Sequence, residues 1–484
     1  MSARALAAAA VVAAIALAAT GSADAKVFCA GSPAGVTCEE GHPATGAGLQ
    51  AALDAADTYV DIGGAPDTVA IGPGFFELPA GFKTGGADVS IIGSGPGNTV
   101  LRATNAADPN KVVLEHKPGA TVPATALRGV RIDLVGPASN GVRNVMDVSD
   151  VVVTGSVSGD AAIKLPPGGD LTRAVIAPAG LASTTSGVFV NGGAVQNVLI
   201  RVAPAPGATF PVRGVSAIGS STLRHVTIIG NGSSLTEGVL ISASNIDGDG
   251  DLQVRDSAIT NVATPLRRFQ TVSGEAVIDY RYTWLDPAKP FITQGTGAIT
   301  AGPGNPAGDP KLNSEGIPQA GSVLIDRGDP AAPGAGDSAT DVGGGARIQN
   351  GRRDIGAYET RPGTTQPPPG GASAADRTAP RITRLKLKRR KGTLRISFRL
   401  SEAARLKFTF ERKGRRKRKT VYRRKGSFTK ARKAGANTIV FKGKIGRKRL
   451  PRGRYRLTVV ATDKAKNRSR PARARLKTLF PPGN

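Results

Sequence analysis

The chain has 484 residues, with 65 Lys+Arg against 36 Asp+Glu and a formal net charge of +29, a length that suggests two domains. Two cysteines, three histidines and one tryptophan are too few ligands for a disulfide-rich miniprotein, a haem-handling chain or a zinc-finger array, and 63 glycines with 34 prolines interrupt any coiled coil. The charge is uneven: from Asp376 onward 40 basic residues face four acids, a net of +36, whereas residues 1–375 carry a net of −7.

Residues 1–25 read as a secretory signal: Arg4, an apolar Ala5–Thr20 run, then Ala23-Asp24-Ala25 as a small-x-small cleavage site. No later stretch is long and apolar enough to cross a bilayer, so a secreted or wall-associated protein is expected. In that oxidising setting Cys29 and Cys38 are expected to form one disulfide. Residues 48–58 read as a helix, because Leu49, Ala52, Leu53 and Ala56 share one face. Short β-rich runs follow, at 67–77, 88–92, 127–135, 148–155, 171–177, 195–202, 223–230, 252–260 and 276–285. From Leu127 they recur about every 20–30 residues with no helical segments between, the pattern of a parallel β-helix.

The segment Leu49-Gln50-Ala51-Ala52-Leu53-Asp54-Ala55-Ala56, followed by Asp67-Thr68-Val69-Ala70-Ile71-Gly72-Pro73-Gly74, resembles the start of pectin-lyase-like right-handed β-helix proteins. That resemblance implies a helix capping the coil stack. Gly321-Ser322-Val323-Leu324-Ile325-Asp326-Arg327-Gly328-Asp329 and Arg353-Asp354-Ile355-Gly356-Ala357-Tyr358-Glu359 resemble the closing signature of secreted β-helix proteins of the choice-of-anchor Q type. Val323 and Leu324 stand where Pro-Ala is usual. Asp326, Asp329, Asp354 and Glu359 are expected to bond turn amides that close the stack, with Tyr358 over the last rung. Lyases of the resembled fold use Asp-bound Ca²⁺ and an Arg or Lys base, and hydrolases use clustered Asp; neither set is recognisable here.

Arg201, Arg224, Arg255, Arg267 and Arg268 are the basic residues near strands, each expected to be solvated or turn-bonding. His225 lacks a partner motif. Trp284, in the one aromatic cluster, is expected to pack a late coil rather than stack on sugar. For metal, Asp247, Asp249 and Asp251 alternate with glycines in a pattern that suits Ca²⁺. An EF-hand is excluded because the twelfth position is Ala258; a solvated turn is the alternative.

Residues 361–376 read as a Pro/Gly-rich linker. In residues 377–480 apolar and polar residues alternate over about seven strands, at 382–388, 393–401, 405–411, 418–424, 437–442, 453–462 and 473–479. This predicts an antiparallel β-sandwich. Leu450-Pro451-Arg452-Gly453-Arg454-Tyr455-Arg456-Leu457-Thr458-Val459-Val460-Ala461-Thr462-Asp463 resembles the last strands of bacterial Ig-like or fibronectin-III-like modules, with Lys466 where Gly is usual. Arg412, Lys413, Arg415, Arg416, Lys417, Arg418 and Lys419 form the densest basic run, a candidate polyanion site.

The fold class expected is therefore all-β: a right-handed parallel β-helix over 26–360 followed by a small Ig-like sandwich. The functional expectation is a monomeric, non-enzymatic extracellular protein that binds polysaccharide or wall polymer, its basic module holding a polyanion. The export signal and the lack of any reading motif argue against nucleic acid. The alternative is a lyase or glycoside hydrolase acting on an acidic polysaccharide.

Overall fold

The computed structural model describes residues 25–58, 66–85, 88–105, 111–117, 125–138, 140–244, 248–331, 334, 337–360, 380–390, 393–401, 404–416, 419–433, 435–445, 448–451, 453–462 and 468–479. Residues 1–24 of the segment read as an export signal, residues 361–376, read as a linker, and Asp247, Lys417 and Arg418 lie outside the described residues. The chain divides into two compact units, Met1–Ala372 and Ser373–Asn484.

The first unit is a parallel β-solenoid. Seventeen strands form one parallel network and nine form a second sheet. Each strand pairs with its counterpart one coil later, at the ordinary strand spacing of about 4.8 Å. The ladder Leu127–Val148–Leu171–Val195–Leu223 reproduces the sequence period. At the next coil Leu223 pairs with Val254, a two-residue slip from the expected Leu252 that keeps the same face inward. Inward columns such as Ile132–Val153–Ile176–Ile200–Ile228–Ile259 form one continuous apolar core. The helix Gly46–Thr58 buries Leu49, Ala52, Leu53 and Ala56, the face read from the sequence. It lies against the first strands of the stack, with the Thr45 hydroxyl accepting the Gly48 amide at its start. Cys29 and Cys38 form the expected disulfide.

The nine-stranded sheet falls between the expected runs. Its strands include Ala161–Pro167, Ser186–Asn191, Val212–Ile218, Thr236–Ala243 and Thr264–Gln270. Four of the nine strands, counting Asn140–Arg143, carry a Gly-Val pair: Gly141-Val142, Gly187-Val188, Gly214-Val215 and Gly238-Val239. The valines stack inward. A Cβ on Gly214 would lie 2.8 Å from the Gly238 carbonyl oxygen, and one on Gly187 would lie 2.9 Å from that of Gly214. Glycine is there for close approach between coils.

The closing motif does not cap the end of the stack. The final strands, Ile292–Gln294 and Ile299–Ala301, are largely exposed. Instead residues 304–331 and 337–360 return along the outside of the solenoid. They cover a single outward column, Val152–Val175–Leu199–Thr227–Ala258–Trp284. Ile317, Val342, Ala357 and Tyr358 pack on Val152, Val175 and Leu199, while Leu324 and Ile355 pack on Ala258 and Trp284. Tyr358 thus covers middle coils, not the last rung. The physical reason is that this column is apolar on its outer side too, and such a strand has to be buried on both faces.

The second unit is the expected antiparallel sandwich. Ile382–Arg390, Thr393–Leu400 and Gly435–Phe441 form one sheet. The strands Ala404–Arg416, Lys419–Arg432, Gly453–Thr462 and Ala472–Leu479 form the other. Leu394, Ile396, Phe398, Leu400, Leu406, Phe408, Phe410, Tyr455, Leu457 and Val459 fill the space between them, as their alternation required. The Tyr455 hydroxyl donates to the Pro451 carbonyl at 2.5 Å, a tyrosine corner of the kind found in Ig-like sandwiches.

Candidate anion-binding sites

Six successive coils of the larger sheet turn at one non-glycine residue in the left-handed region. These residues are Asp150, Arg173, Asn197, His225, Asp256 and Tyr282, with φ from 48° to 55°. Their neighbours are in register from coil to coil, so the six form a column. Asn, Asp and His tolerate this conformation better than most residues. That was the available sequence signal: a polar residue at one fixed place in each β run.

The lower part of this column holds the returning segment by buried charge. Arg353 is 1 % exposed. Its Nη1 lies 3.5 Å from Asp337 and 4.0 Å from Asp256, and its Nη2 donates to the Ala331 carbonyl at 2.6 Å. Arg224 bonds Asp337 and lies 3.7 Å from Asp256. Asp256 accepts the Asp329 amide at 2.5 Å. Arg347 donates to the Gly356 and Ala357 carbonyls and to Asn197. Asp354 accepts the amides of Asp326 and Thr360, and Glu359 those of Asp354 and Gln349. Burial pushes the carboxyls of Asp256 and Asp354 above the usual range. Glu359 is pushed up to about 8, first by burial and then by the Asp354 charge. Burial, followed by Arg347, Arg224 and Arg353, drives the His225 imidazole well down. Asp329, Asp354 and Glu359 thus do accept turn amides, on the flank of the stack, whereas among the described residues the Asp326 carboxylate accepts none and meets only the Asn350 side chain.

Asp326, Asp354 and Glu359 bring carboxylate oxygens within 4.8 Å of one another. Both oxygens of Asp354 and of Glu359 already accept backbone amides, and Arg347 stands 3.9 Å from Glu359. The group is a fastening rather than a metal cradle. Of the acidic turn proposed for Ca²⁺, Asp249 accepts the Glu275 amide and Asp251 lies in the strand Gly250–Arg255.

The arginines singled out in the body are all engaged. Arg201 donates to the Ser314 carbonyl, Arg255 to Gln253 and Arg268 to the Gly295 carbonyl. Arg267 and Arg213 share Glu237. Trp284 is buried, and its Nε1 donates to the Gly308 carbonyl at 2.8 Å, so it packs a late coil as expected.

No protein-family model matches the chain, and no curated protein matches it. The chemistry has to be read from the geometry.

Arg224, Arg255 and Arg281 stack on consecutive coils. Arg224 is neutralised by Asp337, but burial and the neighbouring Arg281 and Arg224 charges lower the Arg255 pKa. Next to Arg281 and Tyr282 the loop Gly302–Gly304 passes close. It opens into a cleft of about 720 Å³ lined by Gly304–Ala307, Gly321–Val323, Ile325, Arg327 and Arg352. Arg352 lies 5.8 Å from the Tyr282 ring centre, and no acid lines the cleft. The site was not legible in the sequence because its lining comes from separate stretches, 304–307, 321–327 and Arg352.

In the sandwich the described residues of the basic run lie on two paired strands, Arg412, Lys413, Arg415 and Arg416 at the end of one and Lys419 at the start of the next. The expected strand at 405–411 continues to Arg416 and pairs with Lys419–Arg432. Pairing with Gly453–Thr462 stops at Arg412–Tyr455, so beyond it the two strands continue as a ribbon. Arg412 faces Arg423, Lys413 faces Tyr422, and Arg416 faces Lys419. Arg412, Lys413 and Arg415 are exposed. Among the described residues of this unit Glu411 is the sole acid. It is held below the usual carboxylate range by the Arg456 guanidinium at 2.8 Å and also accepts the Thr458 hydroxyl. Arg456 in turn lies 4.0 Å over the Tyr422 ring.

Proposed function

We propose that this is an exported, pectin-lyase-like solenoid protein that binds extracellular anionic polymer without turning it over. Its basic sandwich would supply the main attachment. The observation that carries the reading is the ribbon: like charges directly opposite on paired strands repel, Arg412 stands opposite Arg423, and the neighbouring Glu411 is taken by Arg456 and Thr458. A polymer of carboxylate, sulfate or phosphate groups relieves that repulsion and releases its own counterions.

The triple variant Arg412→Ser, Lys413→Ser, Arg415→Ser is expected to elute from immobilised heparin at markedly lower salt, with roughly tenfold weaker binding at 0.15 M salt and a shallower salt dependence. Unchanged elution would defeat the assignment of the ribbon.

The solenoid's contribution rests on the Arg327–Arg352 cleft, which has the size of a short oligosaccharide site. Oligogalacturonate is expected to shift the emission of Trp284, whose indole bonds Gly308 beside the cleft wall. Arg327→Ala with Arg352→Lys is expected to abolish that shift. Release of unsaturated or reducing ends from polygalacturonate, with or without Ca²⁺, would replace the binding reading with catalysis.

A further inference from the structure

We infer that the basic sandwich is bivalent: each outer face takes its own segment of anionic polymer, so one protein molecule ties two polymer chains together. The inference rests on the polyanion reading above and adds a bridging activity to it.

Alternation in an antiparallel strand sends every second side chain outward, and both sheets of this sandwich use those positions for cations. On the three-stranded sheet Lys386, Lys388, Arg395 and Arg399 are all exposed, with Lys388 directly opposite Arg395. On the four-stranded sheet Lys407, Arg473 and Arg475 are exposed, and Arg456 stands opposite Arg475. Lys413 and Arg415 of the ribbon alternate in phase with Lys407 and Glu411, so they continue this second face and add to its charge. The one described acid, Glu411, sits on the second face and is already bound by Arg456 and Thr458. The first face therefore has no acid among the described residues.

The two faces are separated by a closed apolar core. Stacked sheets lie about 10 Å apart, and the outward side chains add to that distance on both sides. A polymer segment laid along one face cannot touch the other. A module serving one chain needs one such face. Two faces, each with repelling cross-strand cations and no described acid left free, are built for two anionic segments.

The test uses the full mature chain. Biotinylated heparin is fixed on beads, protein is added, and fluorescein-labelled heparin is then offered in solution. Capture of label is expected only with protein present, rising and then falling as protein passes saturation and each polymer becomes coated. The variant Lys386→Ser, Lys388→Ser, Arg395→Ser, Arg399→Ser is expected to stay on the beads within about threefold of the parent and to lose at least tenfold of the captured label. These side chains are exposed, so the core is untouched. The mirror variant Lys407→Ser, Arg473→Ser, Arg475→Ser is likewise expected to lose capture. Bridging through a protein dimer would survive either variant, because each protomer would keep one face. Retention without capture by the parent, or full capture by the first variant, would overturn bivalency alone. Failure of the parent to stay on the beads would overturn the underlying polyanion reading.

Discussion

Arg353→Met is expected to cost the solenoid about 3–5 kcal/mol of unfolding free energy. The guanidinium is among the largest fully buried side chains in the chain. It stands between Asp256, in the corner column, and Asp337, in the returning segment. Methionine has similar length and suits an apolar site, so little packing is lost. What remains is Asp256 and Asp337 with Arg224 as their shared cation, in a place where an unpaired carboxylate is poorly solvated. The chain supplies its own reporter. Trp284 is the single tryptophan, and it packs against Leu324 and Ile355 of the returning segment. Urea unfolding followed by its emission therefore reads the fastening of that segment without interference from the sandwich. The variant should show a red-shifted baseline or a clearly lower midpoint. A midpoint within error of the parent would show that the buried charges do not hold the segment.

The same fastening makes the solenoid less stable in mild alkali. Glu359 keeps its proton in the folded state up to about pH 8, whereas an unfolded glutamate loses it near 4.3. The folded value is raised. The stabilisation is therefore complete below the unfolded value and is lost as pH rises towards 8. Asp256 and Asp354, also raised, act in the same direction. His225 acts in the opposite one. Its folded value is depressed, so its contribution is complete above about pH 6.5 and is lost below it. Between pH 6.5 and 8 the Glu359 effect stands alone of these two and amounts to about 2 kcal/mol. The Trp284-monitored stability should fall by that order across the window. Glu359→Gln should flatten the slope, whatever it does to the absolute value, because an amide has no proton to lose. A wild-type slope that survives Glu359→Gln would assign the titration to another group.

Periodicity carried most of the architecture. The alternation of Leu394, Ile396, Phe398 and Leu400, and of Tyr455, Leu457 and Val459, specified the sandwich strands because a two-residue period admits only one inner face. The recurrence from Leu127 to Leu223 specified the coils for the same reason. The Leu49–Ala56 stripe specified the helix. The adjacent valines of Val151-Val152-Val153 held a further message: Val152 faces outward and is still buried, at 4 % exposed. A continuous apolar run marks burial on both sides, but it does not say what covers the second side.

That is the division between the two levels. Local pattern determined the elements, their faces and the concentration of positive charge after Asp376, because each depends on residues near one another in the chain. The tertiary structure alone decided that residues 304–331 and 337–360 turn back along the coils rather than cap them. It also placed Arg353 between Asp256 and Asp337, and brought Arg327 and Arg352 to one cleft. These contacts join positions tens of residues apart, and their energies come from desolvating charges against particular partners, which no periodicity records.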